Sequence, residues 1–567
     1  MPGTRDHEPV VIETFNGLWD RGDVESVPLD HFSQADNIQF THSGFETRDA
    51  IAPYLTEVLK IPRVSRIYNF VTRQGEYMTQ TLLVLSAGKP LIPGVDPGAT
   101  PQIWHVVPTS GDDSAYTTSM IYSDPEMQDF GFLGYNGRAY ITPFRLYPNP
   151  DTGESVMLGL DNRSVQVYNP ATPGGARDIG GAKPVGGAVT VVESAAAGGH
   201  DPGFHLVGVV YETDTGYLTA PGAYGSGTYS EDTTKAINIG NIPVSPNAYV
   251  KKRHLVSTKA IADYNGNIDG YQFFFIPEGN IENNTATTKT VSYYDADLVD
   301  DASHLIDALD FVDAGVNLTL FHNRMVLVGQ HDTPLVARVS APGEPESFNG
   351  VDGLIVSPLD GHALTNCQEF RDVLYLFKNT STIAYADNDD EPATWGLDII
   401  DQAIGCSVHG VARVLDSGGV NIDYLLIADF SGVMLFNGTY ARPELSWKIS
   451  DVWGNLNRNA FHFVEIVNDS ISKKIWITLM EPWRQYVLHA NYENGLDAKN
   501  IRWSKWIFDG RINTVCLAQT TKLLLGSVLD ATHDGILKVV KGTRDIYYAG
   551  LQVKIPDPTI RTALIGD

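Results

Sequence analysis

The sequence predicts an all-β chain: a β-propeller built from four-stranded blades of about fifty residues, with a fibronectin- or immunoglobulin-like β-sandwich domain inserted into it. Three observations lead to this prediction. A short apolar hairpin pattern recurs along the chain, its spacing is nearly constant in the second half, and the spacing breaks once by a domain-sized interval. Aromatic residues make up 10% of the chain, and Val, Ile and Thr are frequent, which favours strands over helices.

The length sets the first constraint. A chain of 567 residues is too long for one ordinary hydrophobic core, because such cores stop growing near about 250–300 residues. It needs either a repeating core or several structural units. Hydrophobic residues make up 43% of the chain and charged residues 19%, with 53 Gly and 31 Pro, as in a folded, turn-rich protein.

The repeated unit is a short apolar strand, a turn, and a second strand that ends in an aromatic or branched residue. Its instances begin at Thr81, Val156, Met325, Leu374, Leu425, Ile475 and Leu523. From Met325 onward, the starts lie 49, 51, 50 and 48 residues apart. A fixed period is the signature of a repeat architecture, and about fifty residues is the size of a four-stranded propeller blade.

The interval from Val156 to Met325 is 169 residues, which predicts an insert of roughly 110 to 120 residues. The segment 186–299 contains short alternating strands at 188–195, 204–213, 234–240, 249–261, 270–277 and 289–295, separated by Gly, Pro, Asn and Asp turns, as in a sandwich. We therefore divide the chain into an N-terminal arm (1–60), the first part of the propeller (61–185), the inserted sandwich (186–299), and the rest of the propeller with a C-terminal segment (300–567). Helical spacing occurs only at 50–60 and, more weakly, from Asp300.

The charge argues against nucleic-acid attachment as the main role. With 40 basic and 68 acidic residues, the net charge is −28, which repels phosphate backbones. Such acidity also keeps a large β-rich protein soluble. The first thirty residues lack the apolar stretch of a signal peptide, and no window approaches about 18 uninterrupted apolar residues. We expect assembly in a cytoplasm without membrane insertion.

Motifs for common chemistries are missing from the sequence. It contains no nucleotide-binding glycine fingerprint, P-loop, nucleophile elbow or HExxH motif. Cys367, Cys406 and Cys516 are an odd number without metal-ligand spacing, so we expect free buried thiols. The closest histidine pairs, His31 with His42 and His322 with His331, lack helical ligand spacing, and we expect them at the surface or in turns.

One segment has part of a calcium-loop pattern. Acidic and amide side chains alternate there, at Asp263, Asn265, Asn267 and Asp269. The full loop pattern fails, because the sixth position lacks Gly and the twelfth lacks the bidentate Glu. A tight turn between strands accounts for the same residues. Beyond this weak candidate, we predict no metal, catalytic or cofactor-binding residues and no cofactor.

Two further features could bear on sugars. The acidic run Asp387, Asp389, Asp390 and Glu391 could supply paired carboxylates for glycoside hydrolysis, but consecutive acids before a proline are typical of a solvated loop, and the Asp-box motif of sialidase-type propellers is missing. Trp503 and Trp506 in RWSKW could stack on sugars or bases. Packing between sheets explains these two residues better.

Several sequence segments resemble those of the tail nozzle, or tubular tail, proteins of short-tailed bacteriophages, which are related to packaged-DNA stabilisation proteins. They are FNGLWDRGDVESVP near the start, NRMVLVG at 323–329, PLVARVS at 334–340, EFRDVLYLFK at 369–378 with TIAY at 382–385, and RWSKW at 502–506. Within the insert, VVYETDTGYLTAPG is similar to fibronectin-type inserts of phage tail proteins.

The resemblance implies a structural virion protein rather than an enzyme. Such a protein would form a ring, as a homo-hexamer, docked on a tail adaptor below the portal, with tail fibres or spikes as neighbours. Double-stranded DNA would be retained and then ejected through the ring without specific binding, and an acidic lumen would let it slide. Two alternatives stay open: a propeller enzyme or lectin that acts on surface polysaccharide, and a host-receptor-binding spike whose insert binds the receptor.

Overall fold

The computed structural model describes residues 16–562 with internal gaps. The gaps are 21–27, 29–30, 42–43, 57–58, 75–76, 88–99, 110–114, 149–154, 173, 230–232, 263–267, 269, 357–361, 389–390, 417–421, 457, 480–485, 510, 519–521, 529–533, 543, 547–551 and 556–558. The chain is all-β, with 55% of residues in strands and 5% in helices, as the sequence predicts. The strands form many small antiparallel sheets.

Seven sheets, named A to G in chain order, recur along the chain. Sheet A contains Val64–Gln74, Tyr77–Ser86, Gln102–Pro108 and Tyr116–Ser123; sheet B contains Asp129–Tyr135, Arg138–Pro148, Ser155–Gly159, Gln166–Tyr168 and Arg177–Asp178. Sheet C contains Asn317–Phe321, Arg324–Val328, Val336–Ala341 and Glu344–Ile355; sheet D contains Leu364–Phe370, Val373–Lys378, Thr382–Ala386 and Gly396–Asp401.

Sheets E to G follow the same up-and-down order. Sheet E contains Val411–Asp416, Ile422–Asp429 and Gly432–Phe436; sheet F contains Glu465–Asp469, Lys474–Thr478, Tyr486–Asn491 and Arg502–Ile507, with Phe32–Asp36 and Thr559–Thr562 at its edge. Sheet G contains Ile512–Ala518, Lys522–Ser527 and Gly535–Val540, and Ala50–Pro53 adds its fourth strand. Small hairpins are formed by Ile38–Thr41 with Gly44–Thr47 and by Arg544–Ile546 with Gln552–Lys554.

Sheets B, C and D share a turn between their first two strands. Each turn has two central residues with positive φ: Asn136–Gly137 in sheet B, His322–Asn323 in sheet C and Arg371–Asp372 in sheet D. Positive φ at both positions defines the type I′ turn, whose twist matches that of the strands it joins. Local turn chemistry therefore sets the same hairpin register in three of the repeats.

The first strands of the sheets contact one another in sequence. Sheet A touches B, B touches C, C touches D, E touches F, F touches G, and the first strand of G returns to that of A. Sheet D is joined to the segment before sheet E by side chains: Thr365 Oγ1 donates to the Cys406 carbonyl at 2.7 Å, and Asn366 Nδ2 to the Val408 carbonyl at 2.7 Å. Buried apolar clusters fill the spaces between successive sheets.

The strand Ala50–Pro53 corrects the prediction of a helix at 50–60. It pairs antiparallel with Gly535–Val540 at the edge of sheet G, with Ala50 opposite Val540. A buried ion pair fixes this junction: Arg48 Nη2 lies 2.6 Å from Asp545 Oδ2, and both side chains are fully buried. The same carboxylate accepts the Ile51 amide at 3.2 Å. Segments from opposite ends of the described chain thus close one sheet.

Residues 190–291 form two further sheets. One contains Thr190–Ala197, Lys235–Gly240 and Lys289–Val291; the other contains Gly203–Thr213, Gly222–Tyr229, Val250–Ser257 and Phe274–Phe275. A cluster of buried Val, Ile and aromatic side chains, including Val209, Ile237 and Leu255, packs between them. Arg177 of sheet B anchors this unit, because it pairs with Asp214 at 2.7 Å and with Glu346 of sheet C at 3.3 Å.

Helices are short in the part of the chain that the structure describes. The α-helices are Ser450–Gly454 and Arg458–Phe461, and the 3-10 helices are Asp295–Asp297, Ser303–Leu305, Pro392–Thr394 and Trp447–Ile449. The weaker helical prediction from Asp300 thus corresponds to a single 3-10 turn. No helix in the described ranges has the length and apolar character needed to cross a membrane.

Candidate functional site

A polar cavity of about 400 Å³ lies where the first strands meet. It is lined from sheets A, B, C, D, E, F and G together, which makes it the place where all seven repeats converge. Polar lining residues include Tyr68, Asn69, Asn317, Asn366, Gln368, His409, Glu465 and Asn468. We take this cavity and the charged groups in its wall as the candidate site.

A buried ionic cluster lies beside the cavity and reaches its wall through Glu465. Arg66, in the first strand of sheet A, places Nη2 2.6 Å from Asp129 Oδ2 and Nη1 2.9 Å from Glu465 Oε1. Asp129 begins sheet B and Glu465 begins sheet F. The second oxygen of Glu465 accepts the Val515 amide of sheet G at 3.0 Å. One guanidinium therefore links three sheets directly and a fourth through Glu465.

A histidine and a tyrosine extend the cluster into the cavity. His409 Nε2 lies 3.1 Å from Asp129 Oδ2, and its Nδ1 lies 3.0 Å from the Tyr68 hydroxyl. The Tyr68 hydroxyl also lies 3.1 Å from the Phe130 carbonyl. When His409 is neutral, Nε2–H donates to the carboxylate, and Nδ1 shares the single hydroxyl proton of Tyr68 with the Phe130 carbonyl.

The charges of the cluster depend on one another. Burial would raise the pKa of Asp129, but the Arg66 charge, followed by His409, outweighs it and holds this pKa well below its usual range. Burial, followed by the Arg66 charge, lowers the pKa of His409 despite the opposing attraction of Asp129. Burial raises the pKa of the Tyr68 hydroxyl far above its ordinary value. Near neutral pH, Asp129 is therefore ionised, while His409 and Tyr68 are neutral.

This arrangement can relay a proton between Asp129, His409 and Tyr68, because consecutive groups lie within hydrogen-bond distance. The same contacts also hold together sheets A, B, F and G and the segment before sheet E. Arg66 neutralises Asp129, so this carboxylate is a weak proton acceptor. The geometry therefore serves cross-linking of the sheets better than acid–base chemistry.

The predicted calcium turn, Asp263, Asn265, Asn267 and Asp269, lies outside the described residues. So do Asp389 and Asp390 of the acidic run and His42. The other members of the run lie apart from the central cavity: Asp387 Oδ2 is 2.8 Å from His322 Nδ1, and Glu391 precedes the helix Pro392–Thr394.

The three cysteines and the two tryptophans lie where the sequence predicts them. Cys367, Cys406 and Cys516 are buried free thiols, and Trp503 and Trp506 are buried, as we expected. The indole Nε1 atoms of the two tryptophans donate to the Leu445 and Ile38 carbonyls at 3.1 and 3.0 Å.

His31 is not at the surface: its side chain is buried against the Trp19 ring. Its backbone lies in a turn, as expected, because its amide donates to the Pro28 carbonyl at 2.9 Å. His331 is part of an exposed group in which Asp161, His331 and Asp332 each place a ligand atom within 4.8 Å of the others. Exposed acidic groups commonly approach one another without a metal, so this geometry alone does not make a metal site.

Sequence reasoning missed the ionic cluster. Its ionic members Arg66, Asp129 and Glu465 lie between 63 and 399 residues apart, and no spacing rule joins them. A usable signal was Arg66 itself, a single charge within the strand-forming run VSRIYNF, where Val64 and Tyr68 lie on the same face. A buried charge requires a partner, so such an arginine predicts a buried carboxylate nearby but not which one.

Comparison with known proteins yields little. No protein-family model and no curated protein matches the chain. Among solved structures, a protein from Bacteroides uniformis, provisionally assigned as a 6-phosphogluconolactonase, is 9% identical with a TM-score of 0.28, and the match covers 63% of this chain and 97% of that one. A likeness this slight assigns no activity to the present chain.

The name of that protein nevertheless corrects one expectation. From the phage resemblance we expected a chain that is not an enzyme, whereas the structure that aligns with it carries the name of an enzyme. The expectation is therefore withdrawn.

Proposed function

We propose that sheets A to G are the seven blades of a β-propeller, that residues 190–291 are an inserted β-sandwich, and that the protein forms the tail nozzle of a short-tailed bacteriophage. The contact order of the first strands, from A round to G and back to A, supports the propeller. The strand Ala50–Pro53 at the edge of sheet G supports it as well, since a propeller needs a closing contact between its first and last parts.

The observation that carries the nozzle proposal is the sequence resemblance. Two of the sequence segments that carry it lie at equivalent positions of neighbouring sheets. NRMVLVG begins at the second central residue of the type I′ turn of sheet C, and EFRDVLYLFK spans the corresponding turn of sheet D. Both segments thus belong to the hairpin formed by the first two strands, one in sheet C and the other in sheet D.

The genome path would lie between subunits rather than within one. A cavity of about 400 Å³ has the size of a small-ligand pocket and cannot admit a double helix, whose major groove alone is about 12 Å wide. A ring of subunits would supply the lumen. The net charge of −28 would favour sliding over binding if part of it faces that lumen.

In this proposal the protein docks on a tail adaptor, with fibres or spikes as neighbours, and resides in the virion. Mass photometry of the purified chain, alone and with the adaptor, tests it. We expect a species of six 62.0 kDa chains, about 372 kDa, and ring-shaped particles by negative-stain microscopy. A chain that stays monomeric with the adaptor present, at every concentration, refutes the proposal.

A further inference from the structure

The last strand of sheet D, Gly396–Asp401, is an open sheet edge. The first strands of the sheets meet at the central cavity, so the fourth strand of sheet D lies farthest from the centre. At sheet F, Phe32–Asp36 and Thr559–Thr562 continue the sheet beyond this position, and Ala50–Pro53 does so at sheet G. Within the described residues, no strand pairs with the outer side of Gly396–Asp401. Such an edge presents unpaired N–H and C=O groups that can pair with another chain.

Apolar side chains are exposed along this outer edge of sheet D. Leu397 and Ile399 are 40% and 38% exposed, and Ile355 in the last strand of sheet C is 69% exposed. Leu397 lies opposite Tyr385, whose hydroxyl donates to the Ile355 carbonyl at 3.1 Å. The three apolar residues therefore belong to one surface that spans sheets C and D. Apolar residues grouped at an open edge are typical of a surface that another chain covers.

The charge of the same edge restricts what can cover it. The stretch 387–401 has six acidic residues and no basic residue in its sequence. Glu391 and Asp398 are exposed, and Asp398 lies on the edge strand itself. Like charges that face each other across a contact are unfavourable, so two such edges repel one another. The complementary surface must therefore be basic.

A basic surface lies on the outer side of sheet G. The stretch 538–554 has four basic residues and one acid, Asp545, whose charge is paired with a buried arginine. Arg544 and Lys554 lie opposite each other in the hairpin that packs against the last strand of this sheet, and both side chains are exposed. Lys541 is exposed as well, although it pairs with a neighbouring carboxylate. We call this surface the basic side of sheet G.

A second basic stretch, 251–259 in the insert, matches the acidic edge less well. It has four basic residues and no acid, but two of the four are engaged within the chain. Arg253 is fully buried, and Lys252 pairs with Glu212 and Glu282. The basic side of sheet G is therefore the better partner for the outer edge of sheet D.

Sheets D and G lie on opposite sides of the proposed propeller. Three steps separate them through sheets E and F, and four steps through sheets A, B and C, which is the largest separation that a cycle of seven allows. The two surfaces of one chain therefore cannot meet each other. A contact between two different surfaces is head-to-tail, and its repetition produces a ring when the rotation closes.

We propose that the outer edge of sheet D in one copy of this chain docks on the basic side of sheet G in the next copy, and that the contact covers the exposed apolar residues of the edge. This docking rests on the ring of the proposed function and names the surfaces that join its subunits. The acidic residues prevent two identical edges from joining, and the basic residues of the next copy attract them.

Charge-reversed chains test the docking by mass photometry with the adaptor present. One variant carries Glu391→Lys and Asp398→Lys on sheet D, and the other carries Arg544→Glu and Lys554→Glu on sheet G. Each variant alone places like charges in every contact, so the chain concentration needed for half assembly should rise by at least about tenfold. The two variants mixed in equal amounts should assemble at the wild-type concentration, because every contact between them then joins opposite charges.

Two more variants separate the docking from general effects of charge. Lys251→Glu with Lys259→Glu in the insert is the matched control, because both side chains are basic and exposed but lie outside the proposed contact, and it should assemble as the wild type does. Leu397→Ser with Ile399→Ser should weaken assembly without a change of charge. Unchanged melting temperatures show that the variants fold.

Weak assembly of each reversed variant alone, with rescue by mixing, supports the docking. The docking is overturned, while the nozzle proposal stands, if wild-type rings form and the reversed variants assemble equally well, if mixing does not rescue them, or if the insert control is the variant that fails to assemble. A wild-type chain that stays monomeric with the adaptor refutes the ring, and the docking with it.

Discussion

The junction between Arg48 and Asp545 offers the most direct test of how the chain is closed. The Arg48 guanidinium makes two hydrogen bonds to Asp545, at 2.6 and 3.1 Å, and others to the Ile507 carbonyl and Asn37 Oδ1. It also stacks on the Phe508 ring, 4.2 Å from its centroid. Asp545→Asn removes the only anion that the structure pairs with this buried cation within the described residues.

Removing one partner of a buried ion pair costs about 3–5 kcal/mol, because the other charge is left buried and uncompensated. We expect about 3 kcal/mol for Asp545→Asn, since the amide keeps one oxygen to accept from the guanidinium or the Ile51 amide. Because each 1.36 kcal/mol corresponds to a factor of ten, the opening equilibrium of the closing strand should rise on the order of 100-fold.

Hydrogen–deuterium exchange with mass spectrometry measures this opening at the strand itself. Peptides that cover 50–56 and 535–540 should lose protection, while the hairpin Leu364–Lys378 of sheet D should keep it. Lys541→Gln is the matched control: Lys541 pairs with Asp49 at 3.0 Å, but its side chain is 81% exposed, and exposed pairs contribute little. Equal exchange in the Asp545 and Lys541 variants would refute the idea that the buried pair holds the closing strand.

Two further predictions concern buried titratable groups. Burial lowers the pKa of His105 to about 4, so the unfolded chain binds more protons than the folded one between about pH 6.5 and 4. Folding stability should therefore decrease as the pH is lowered through this window, by up to about 1.4 kcal/mol per pH unit. In denaturant titrations His105→Gln should flatten this slope, and an unchanged slope contradicts the assignment. Asp129→Asn should destabilise the cluster by about 1.5–3 kcal/mol, because Arg66 loses a charged hydrogen-bond partner but keeps Glu465; the loss is measured as reduced exchange protection in the first strands of sheets A, B and F. Asp423→Asn, which breaks a partly exposed pair with Arg413, should cost under about 1 kcal/mol. Similar effects of the two aspartate variants would show that the central cluster does not hold the sheets.

Much of the strand pattern could be predicted because it is local. The predicted hairpins that begin at Met325 and Leu374 correspond to Arg324–Val328 with Val336–Ala341 and to Val373–Lys378 with Thr382–Ala386. Their apolar strands and the connection between them lie within about twenty residues of sequence. In the insert, the predicted strand 204–213 corresponds to Gly203–Thr213, and the predicted strand 234–240 to Lys235–Gly240.

Two strands escaped prediction for different physical reasons. Gly222–Tyr229 reads as turns because of its glycines, yet a Cβ at Gly225 would lie 1.9 Å from the Val189 carbonyl oxygen, so glycine there permits close approach of the two sheets. Ala50–Pro53 has helical apolar spacing, and its strand partner lies more than 480 residues away. The buried cluster around Arg66 escaped for the second reason, since only the fold brings its members together.

The long separation within sheet G also predicts an order of folding. Closing a loop costs about (3/2)RT ln n, so joining Ala50–Pro53 to Gly535–Val540 costs about 4 kcal/mol more than closing a five-residue hairpin turn. The hairpins of sheets C and D have no such cost and should form first. In pulse-labelling exchange during refolding, amides of residues 50–56 should become protected after those of Leu364–Lys378. Asp545→Asn should delay or weaken the late phase only, because its contacts form with the closing strand. Protection of residues 50–56 as early as the sheet D hairpin would contradict this order and would mean that the two ends meet before the sheets between them are built.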